Sequence, residues 1–424
     1  MKEVKFKSRI LLFIVLFIYI YDIKISIFPY YLNYILSCLG TLSFIRDLTS
    51  YKFLLQKKLV SRLVITLFMI FFFYLITYIF NSNGDFYYIK EIVALDLLLI
   101  MGAYYVYKLF VYYYKVVDIH IVLKYYLLCI LTQLFLSLIM FFNQSVYLIL
   151  DSFLLRSELE SAVVEGTREN RLIGFGVAFF TSGIINSIAL VFIALYLTLK
   201  DRLISNRFLF ISFLLISLIG LMMSRTTLIG IILAICITLY KKKNVFTSRT
   251  LFYSICCSAF LFVFMVVFDG EFFNMNEKFS VVFDFGFELF ENLFVKGEVS
   301  TSSTNKMFEM YNILPSNLKT WVLGDGFYRN PVHPELGYYM ETDIGFFRLI
   351  FNGGIIGVIM FMLLQFTVIK NLSRSFGYIS VFVLCAMIII LNLKGVVDYL
   401  KFVCLFAFIE NFKNIKNEEY TVKV

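Results

Sequence analysis

Proline, tryptophan and histidine are nearly missing from this 424-residue chain, with four, one and two copies, and only 16% of its residues are charged. Soluble globular domains carry about 25% charged residues, so the shortage of charge excludes a water-soluble fold of this size. With two histidines, His120 and His333, and no cysteine at metal-ligand spacing, the sequence offers no metal site. The seven cysteines (Cys38, Cys129, Cys236, Cys256, Cys257, Cys385 and Cys404) all fall in apolar runs, where they read as small packing residues. None stands where an oxidising compartment would pair it. No internal repeat and no nucleic-acid motif is present.

Apolar residues fill the space that charge leaves, at 61% of the chain with 19% aromatic. LVITLFMIFFFYLITYIF, FYSICCSAFLFVFMVVF and YISVFVLCAMIIILNL are apolar on every face. A membrane span needs about 20 such residues, and inside hydrocarbon the backbone must satisfy its own polar groups, so these runs are helices. The expected fold class is therefore an all-α polytopic integral membrane protein with about twelve transmembrane helices. The expected spans lie at 9–25, 27–45, 62–80, 90–109, 124–142, 176–199, 207–223, 226–240, 250–268, 344–369, 375–391 and 396–412. The basic start and apolar middle of the first run also suit a signal peptide. No small-residue cleavage site follows, so it reads as a span.

Lysine and arginine set the orientation, because short basic connections stay in the cytoplasm. MKEVKFKSR, QKKLVSR, KDRLISNR, KKKNVFTSR, KNLSRS and the C-terminal tail are basic, whereas NSNGDFYY and the stretches from Asn143 and from Asp269 are poor in basic residues. The alternation puts both termini inside and reads the net charge of +9 as a topology signal.

Three segments follow: residues 1–268 with nine helices and an outside loop at 143–175, a large extracytoplasmic loop at 269–343, and residues 344–424 with three helices and a cytoplasmic tail. Connections this long are commonly functional. The large loop holds Pro315, Pro331, Pro334 and Trp321. Within it STSSTNKMFEMYNIL reads as a Ser/Thr-capped helix, with Met307, Met310, Tyr311 and Leu314 at helical spacing. TWVLGDGFYRNPVHPELG reads as turns and extended chain.

Charge at the edge of a span is costly and marks an aqueous cavity or a partner. Asp96, Arg225, Arg348 and Asp398 all fall toward the outer side on this topology, and EGTRENRLIGFG brings Arg168 and Arg171 to the same side. Together they suggest one outward polar cavity under the large loop. Each also has a plainer reading. Arg348 and Arg225 suit snorkelling to headgroups, and Arg168 and Arg171 suit solvated loop charges. Asp96 suits pairing with Lys90 or a backbone group, Asp398 suits pairing with Lys394 or Lys401, and Gly353, Gly354 and Gly357 suit close helix approach. His333 between prolines suits an ordinary loop residue. An arginine-lined cavity favours an anion, since guanidinium holds phosphate through a planar fork. The anion most naturally presented there is a lipid-linked pyrophosphate.

The SRT turn of Arg225, the Ser/Thr-rich helix followed by WVLGDG, and H-x(9)-D-x-G-x(2)-R-x(4)-GG-x(2)-G from His333 to Gly357 together resemble the bacterial O-antigen polymerase (Wzy-type) and O-antigen ligase superfamily. The resemblance covers the chain from about Arg168 to Gly357. It implies a membrane glycosyltransferase of the bacterial cytoplasmic (inner) membrane, using undecaprenyl-pyrophosphate-linked oligosaccharide without a nucleotide sugar, cofactor or metal. It carries pyrophosphate and glycan binding onto Arg225, Arg348, Arg168 and Arg171, with Lys306 and Arg329 added from the large loop. Asp343, Glu341 and His333 are then candidate bases, and Asp343 could instead orient Arg348. Lys306 stands where relatives often have arginine, and Pro334 follows His333 where ligases show a polar residue. The implied activity is surface-polysaccharide polymerisation, with O-antigen ligation or lipid-linked oligosaccharide transport as alternatives. Implied partners are a chain-length-determining copolymerase and a flippase. Alkaline phosphatase fused after Glu298 is expected to be active and the same fusion after Lys243 inactive; the reverse pattern overturns the orientation.

Overall fold

The computed structural model describes residues 5–26, 28–49, 53–82, 85–156, 158–177, 179–241, 277–293, 297–298, 301–332 and 337–409. Among these residues the fold is all-helical apart from one two-stranded ribbon. Six helices are long and apolar enough to cross a membrane: Leu54–Asn81, Ala94–Tyr114, Ile119–Phe142, Phe179–Leu197, Asn206–Met223 and Gly345–Phe376. Thr227–Tyr240 and Ile379–Asn392 are shorter apolar helices. Three other expected spans coincide with short helices, Phe6–Tyr21, Leu32–Leu48 and Leu400–Ala407. The expected span at 250–268 lies outside the described residues.

In chain order we number α1 Phe6–Tyr21, β1 Lys24–Ile25, β2 Phe28–Tyr31, α2 Leu32–Leu48, α3 Leu54–Asn81, α4 Ala94–Tyr114, α5 Ile119–Phe142, α6 Gln144–Ser152, α7 Glu158–Arg168, α8 Phe179–Leu197, α9 Asn206–Met223 and α10 Thr227–Lys241. The large connection supplies α11 Glu277–Glu291, α12 Ser302–Met310 and α13 Leu318–Leu323, before α14 Gly345–Phe376, α15 Ile379–Asn392 and α16 Leu400–Ala407. The chain forms two compact units. The first comprises residues 1–15, 33–119 and 301–424, and the second comprises 16–32 and 120–300.

The second expected span begins later than hydropathy suggested. Asp22 takes a left-handed φ of 49° just after α1, and β2 with its Pro29 pairs antiparallel with β1 before α2 can start. Proline has no N–H for a helix interior, and aspartate is among the few residues that visit the left-handed region readily. In the second unit α8 is buried along most of its length, and α9 and α10 pack on it. Gly183, Gly220 and Gly230 lie on these contacts. As membrane packing favours, small residues let the helices approach closely.

In the first unit α14 packs on α3, α13, α15 and α16. Gly353 and Gly357 face the ring and hydroxyl of Tyr74 on α3, as small residues at a helix contact should. Gly354 does something else. Its φ of 63° and ψ of −169° break the helix, in a region only glycine enters readily. The break frees the carbonyls of Phe351 and Asn352. They accept hydrogen bonds from the backbone N–H groups of Asp325 (2.6 Å) and Gly326 (3.2 Å). Gly324, with φ 76°, fits directly against the Asn352–Gly353 peptide. The glycines of WVLGDG and GG are thus two halves of one contact.

The Ser/Thr-capped helix forms as expected: Thr301 caps α12 in a reciprocal box with Thr304. It ends at Met310, earlier than Leu314, which is exposed. Trp321 is helical rather than extended, in the short α13 capped by Asn317, and its indole N–H donates to Pro315 O at 3.1 Å. Before α16 the chain from Lys394 to Tyr399 is not helical. Asn392 bonds both N–H and C=O of Val397, and Gln365 accepts from Tyr399 N and donates to Asp398. Side chains satisfy irregular backbone here, as burial in an apolar setting demands.

Gly354→Ala would drive a methyl group into the Val322 carbonyl at a backbone conformation costing about 1–3 kcal/mol for a non-glycine residue. We expect a clearly lower melting temperature in detergent. Gly166→Ala on α7 meets nothing within 4 Å and serves as the control, expected neutral or stabilising; equal melting for both variants contradicts the account.

Candidate functional site

The arginines singled out in the sequence fall into two settings, one in each unit. In the second unit Arg225 occupies the turn between α9 and α10. That turn is pinned: Thr227 Oγ1 donates to Gly220 O at 2.9 Å, and Ser187 Oγ on α8 donates to Thr226 O at 3.0 Å. Ser224, Thr226 and Thr227 are buried, so Arg225 projects from a rigid base. Its guanidinium pairs with Glu288 on α11 and lies 4.2 Å from the centre of the Phe285 ring. Arg171 lies at the same 4.2 Å from that ring and 5.5 Å from Phe179. The Arg171 segment is stitched to the end of α9 by Leu172 N donating to Met222 O at 3.1 Å.

Two guanidinium groups thus share one phenyl ring, and Arg225 alone pairs with the carboxylate of Glu288. Burial pulls the affinity of Arg171 for its proton down, and the neighbouring Arg225 charge pulls it further. Burial also lowers Arg225, with Glu288 acting in the opposite sense. Arginine nonetheless stays charged, so the pair holds repulsion that a bound anion would relieve. Nε of Arg171 is buried without a hydrogen-bond partner. Arg168 is held separately on α6, stacked 3.6 Å over Tyr147 and bonded to Gln144.

In the first unit Arg348 sits in the opening turn of α14 and is only 9% exposed. Its Nη2 donates to the Tyr328 hydroxyl at 2.5 Å, and its guanidinium lies 3.2 Å from the centre of the Tyr338 ring and 4.6 Å from that of Tyr328. Nε of Arg348 is buried and unpaired. A snorkelling arginine sends its head to water; this one is roofed by rings. Tyr328 itself is 4% exposed and stacks on Tyr87 at 4.9 Å. Arg329 lies 4.5 Å over Tyr87 and donates to its hydroxyl at 3.2 Å, and its Nε too is buried and unpaired. Burial, partly offset by the Arg348 charge, pushes the Tyr328 phenol up, so it stays neutral. Tyr339 is pushed up by burial and by Asp325.

The acids stand apart from the arginine. Glu341 and Asp343 are exposed, and neither forms an ion pair with Arg348 among the described residues. Tyr328, rather than Asp343, orients that guanidinium. Lys306 is exposed on α12, and His333 and Pro334 lie outside the described residues. Asp398 accepts from Gln365 at 2.8 Å and from Leu400 N at 2.7 Å, and Asp96 is buried. Sequence reasoning passed over Glu288, Phe285, Tyr328, Tyr338 and Asp85. A usable signal exists for Asp85 and Tyr328, since GDFYY and GDGFYR place aspartate just before a Phe-Tyr pair in two separate connections.

Residues 210–362, roughly a third of the chain, match a family model described as O-Antigen ligase. The match is consistent with the O-antigen polymerase/ligase superfamily and supports an O-antigen ligase- or polymerase-type membrane function. It includes Arg225, Glu288, Tyr328 and Arg348, while Asp85, Arg168 and Arg171 precede it. Neither a curated protein nor a solved structure matches the chain.

Proposed function

We propose that this chain, whose residues 210–362 match the O-antigen ligase family, polymerises a surface polysaccharide on the outer side of the bacterial cytoplasmic membrane. Its substrates are oligosaccharide repeats linked to undecaprenyl pyrophosphate, and both its termini are cytoplasmic. The observation that carries the reading is the Arg171–Arg225 pair on Phe285. Two half-buried guanidinium groups on one ring, Arg225 paired with Glu288 and Arg171 with its Nε–H left unpaired, suit a diphosphate.

In the reaction the acceptor sugar hydroxyl attacks the anomeric carbon of the donor glycan. The bond from that carbon to the pyrophosphate oxygen breaks, and the pyrophosphate leaves with the electron pair on its lipid. Charge develops on the leaving group, so preorganised guanidinium groups are the main contribution to rate. Arg225 with Arg171, and separately Arg348, are the candidates for that role, and Arg168, Arg329 and Lys306 for binding the glycan or its phosphates. A base takes the hydroxyl proton. Asp343, Glu341 and His333 are the candidates in that order, and the exposure of the two acids leaves them open to an acceptor. A copolymerase that sets chain length and a flippase that delivers repeats complete the system.

The family description favours one alternative, ligation of finished glycan to a lipid acceptor, which uses the same donor chemistry. Proline after His333, where ligases show a polar residue, weighs toward polymerisation. The polysaccharide ladder on a gel separates the readings, comparing wild type, a null and Arg225→Ala. Loss of all bands beyond a core carrying a single repeat, in both the null and the variant, supports polymerisation through Arg225. A bare core with lipid-linked polymer accumulating indicates a ligase. Unchanged chain lengths in the null return the protein to transport.

A further inference from the structure

The contacts around Arg348 depend on Asp85, which lies outside residues 210–362. Asp85 follows α3 in the short connection to α4. Its backbone N–H donates to Gly326 O at 2.8 Å. Its carboxylate receives Tyr328 N at 2.8 Å and Arg329 N at 3.0 Å on Oδ2, and Tyr87 N at 3.1 Å on Oδ1. Asn81 at the end of α3 adds a hydrogen bond to Gly324 O at 3.3 Å. Hydrogen bonds to an ionised acceptor are roughly twice as strong as neutral ones, so Asp85 is the strongest tie on this stretch.

What Asp85 holds is the mount of Arg348. The tied residue Tyr328 supplies the hydroxyl that accepts from Arg348. Tyr87, ordered by the same carboxylate, stacks on Tyr328 with ring planes 11° apart. Tyr338, which covers the guanidinium, is bridged to Arg329, and Tyr339 N donates to Tyr328 O at 3.2 Å. Both aromatic walls of the Arg348 cage therefore hang on the backbone N–H groups of Tyr328 and Arg329, two of the three that Asp85 captures.

We propose that Asp85 is a positioning residue for glycosyl transfer, acting through Tyr328 to hold the Arg348 guanidinium where the anionic substrate group meets it. The proposal rests on the functional reading above, in which Arg348 serves that group. Asp85 touches neither substrate nor the reacting atoms. Misplacing a guanidinium by an ångström weakens charge stabilisation in the transition state more than it weakens binding.

The test measures initial rates of polymer formation in membranes from cells lacking the gene and supplied with the variant protein. The substrate is the lipid-linked repeat that such cells accumulate. Asp85→Ala is expected to lower kcat about tenfold or more, with a smaller change in KM. Asp85→Asn keeps a carbonyl oxygen for Tyr328 N and Arg329 N, and restores most of the rate. Asp85→Ala combined with Arg348→Ala should be no worse than Arg348→Ala alone, since residues acting through one another are not additive. Tyr328→Phe removes only the hydroxyl and should also lose rate, which keeps the test decisive if Asp85→Ala fails to accumulate. Wild-type kcat in Tyr328→Phe, or independent multiplication of the Asp85 and Arg348 effects, overturns the positioning role. Wild-type kcat in Arg348→Ala overturns the functional reading of that arginine and the positioning role with it.

Discussion

At Gly354 the backbone of α14 leaves helical geometry, and the two carbonyls it releases are taken by the peptide N–H groups of Asp325 and Gly326. An unsatisfied carbonyl in an apolar setting costs several kcal/mol, so the broken helix and the loop segment must be made together. Once the loop is seated there, Tyr328 is two residues from the seat and Arg348 is six residues before the break. The cage around Arg348 thus follows from a backbone contact that only glycine permits on both sides, Gly324 on the loop and Gly354 on the helix.

Both arginine settings solve the same electrostatic problem. A buried charge is expensive unless it is paired, yet a charge already neutralised by a carboxylate has little left for a substrate. Rings offer an intermediate solution, because a guanidinium over an aromatic face is worth about 0.5–2 kcal/mol and surrenders no hydrogen-bond donor. Arg348 has tyrosines on its faces, and Arg171 and Arg225 share Phe285, with Glu288 paired to Arg225. Unpaired N–H groups remain on Arg171, Arg329 and Arg348. Sites of this kind are rigid and positively charged before any ligand arrives, which is what stabilisation of a departing anion requires.

Much of this was legible in the sequence, and the limits have physical causes. Long runs of apolar residues identify membrane helices because hydrocarbon leaves the backbone no other partner, and the Thr301 cap was visible because Ser and Thr before an apolar helix have one favoured use. Hydropathy alone could not place the ends of α1 and α16. There a left-handed Asp22 and the side chains of Asn392 and Gln365 decide where helix gives way. Arg225 and Arg348 stood out as charges in apolar surroundings. Their partners did not: Phe285 and Tyr338 are ordinary aromatics in a chain that is 19% aromatic, and their role comes from tertiary contacts with no sequence spacing. Gly354 was legible as a small residue but not as a break, since GG-x(2)-G reads equally as a surface for another helix.

The central claim is that these guanidinium groups serve a diphosphate, and the most direct measurement is inorganic pyrophosphate binding to the purified full-length protein in detergent, by calorimetry. The account predicts saturable binding that weakens at least tenfold in Arg171→Ala and in Arg225→Ala, by about 1.4 kcal/mol or more each, while Arg62→Ala, an exposed arginine on α3, leaves it unchanged. Equal pyrophosphate affinity in wild type, Arg171→Ala and Arg225→Ala would contradict it.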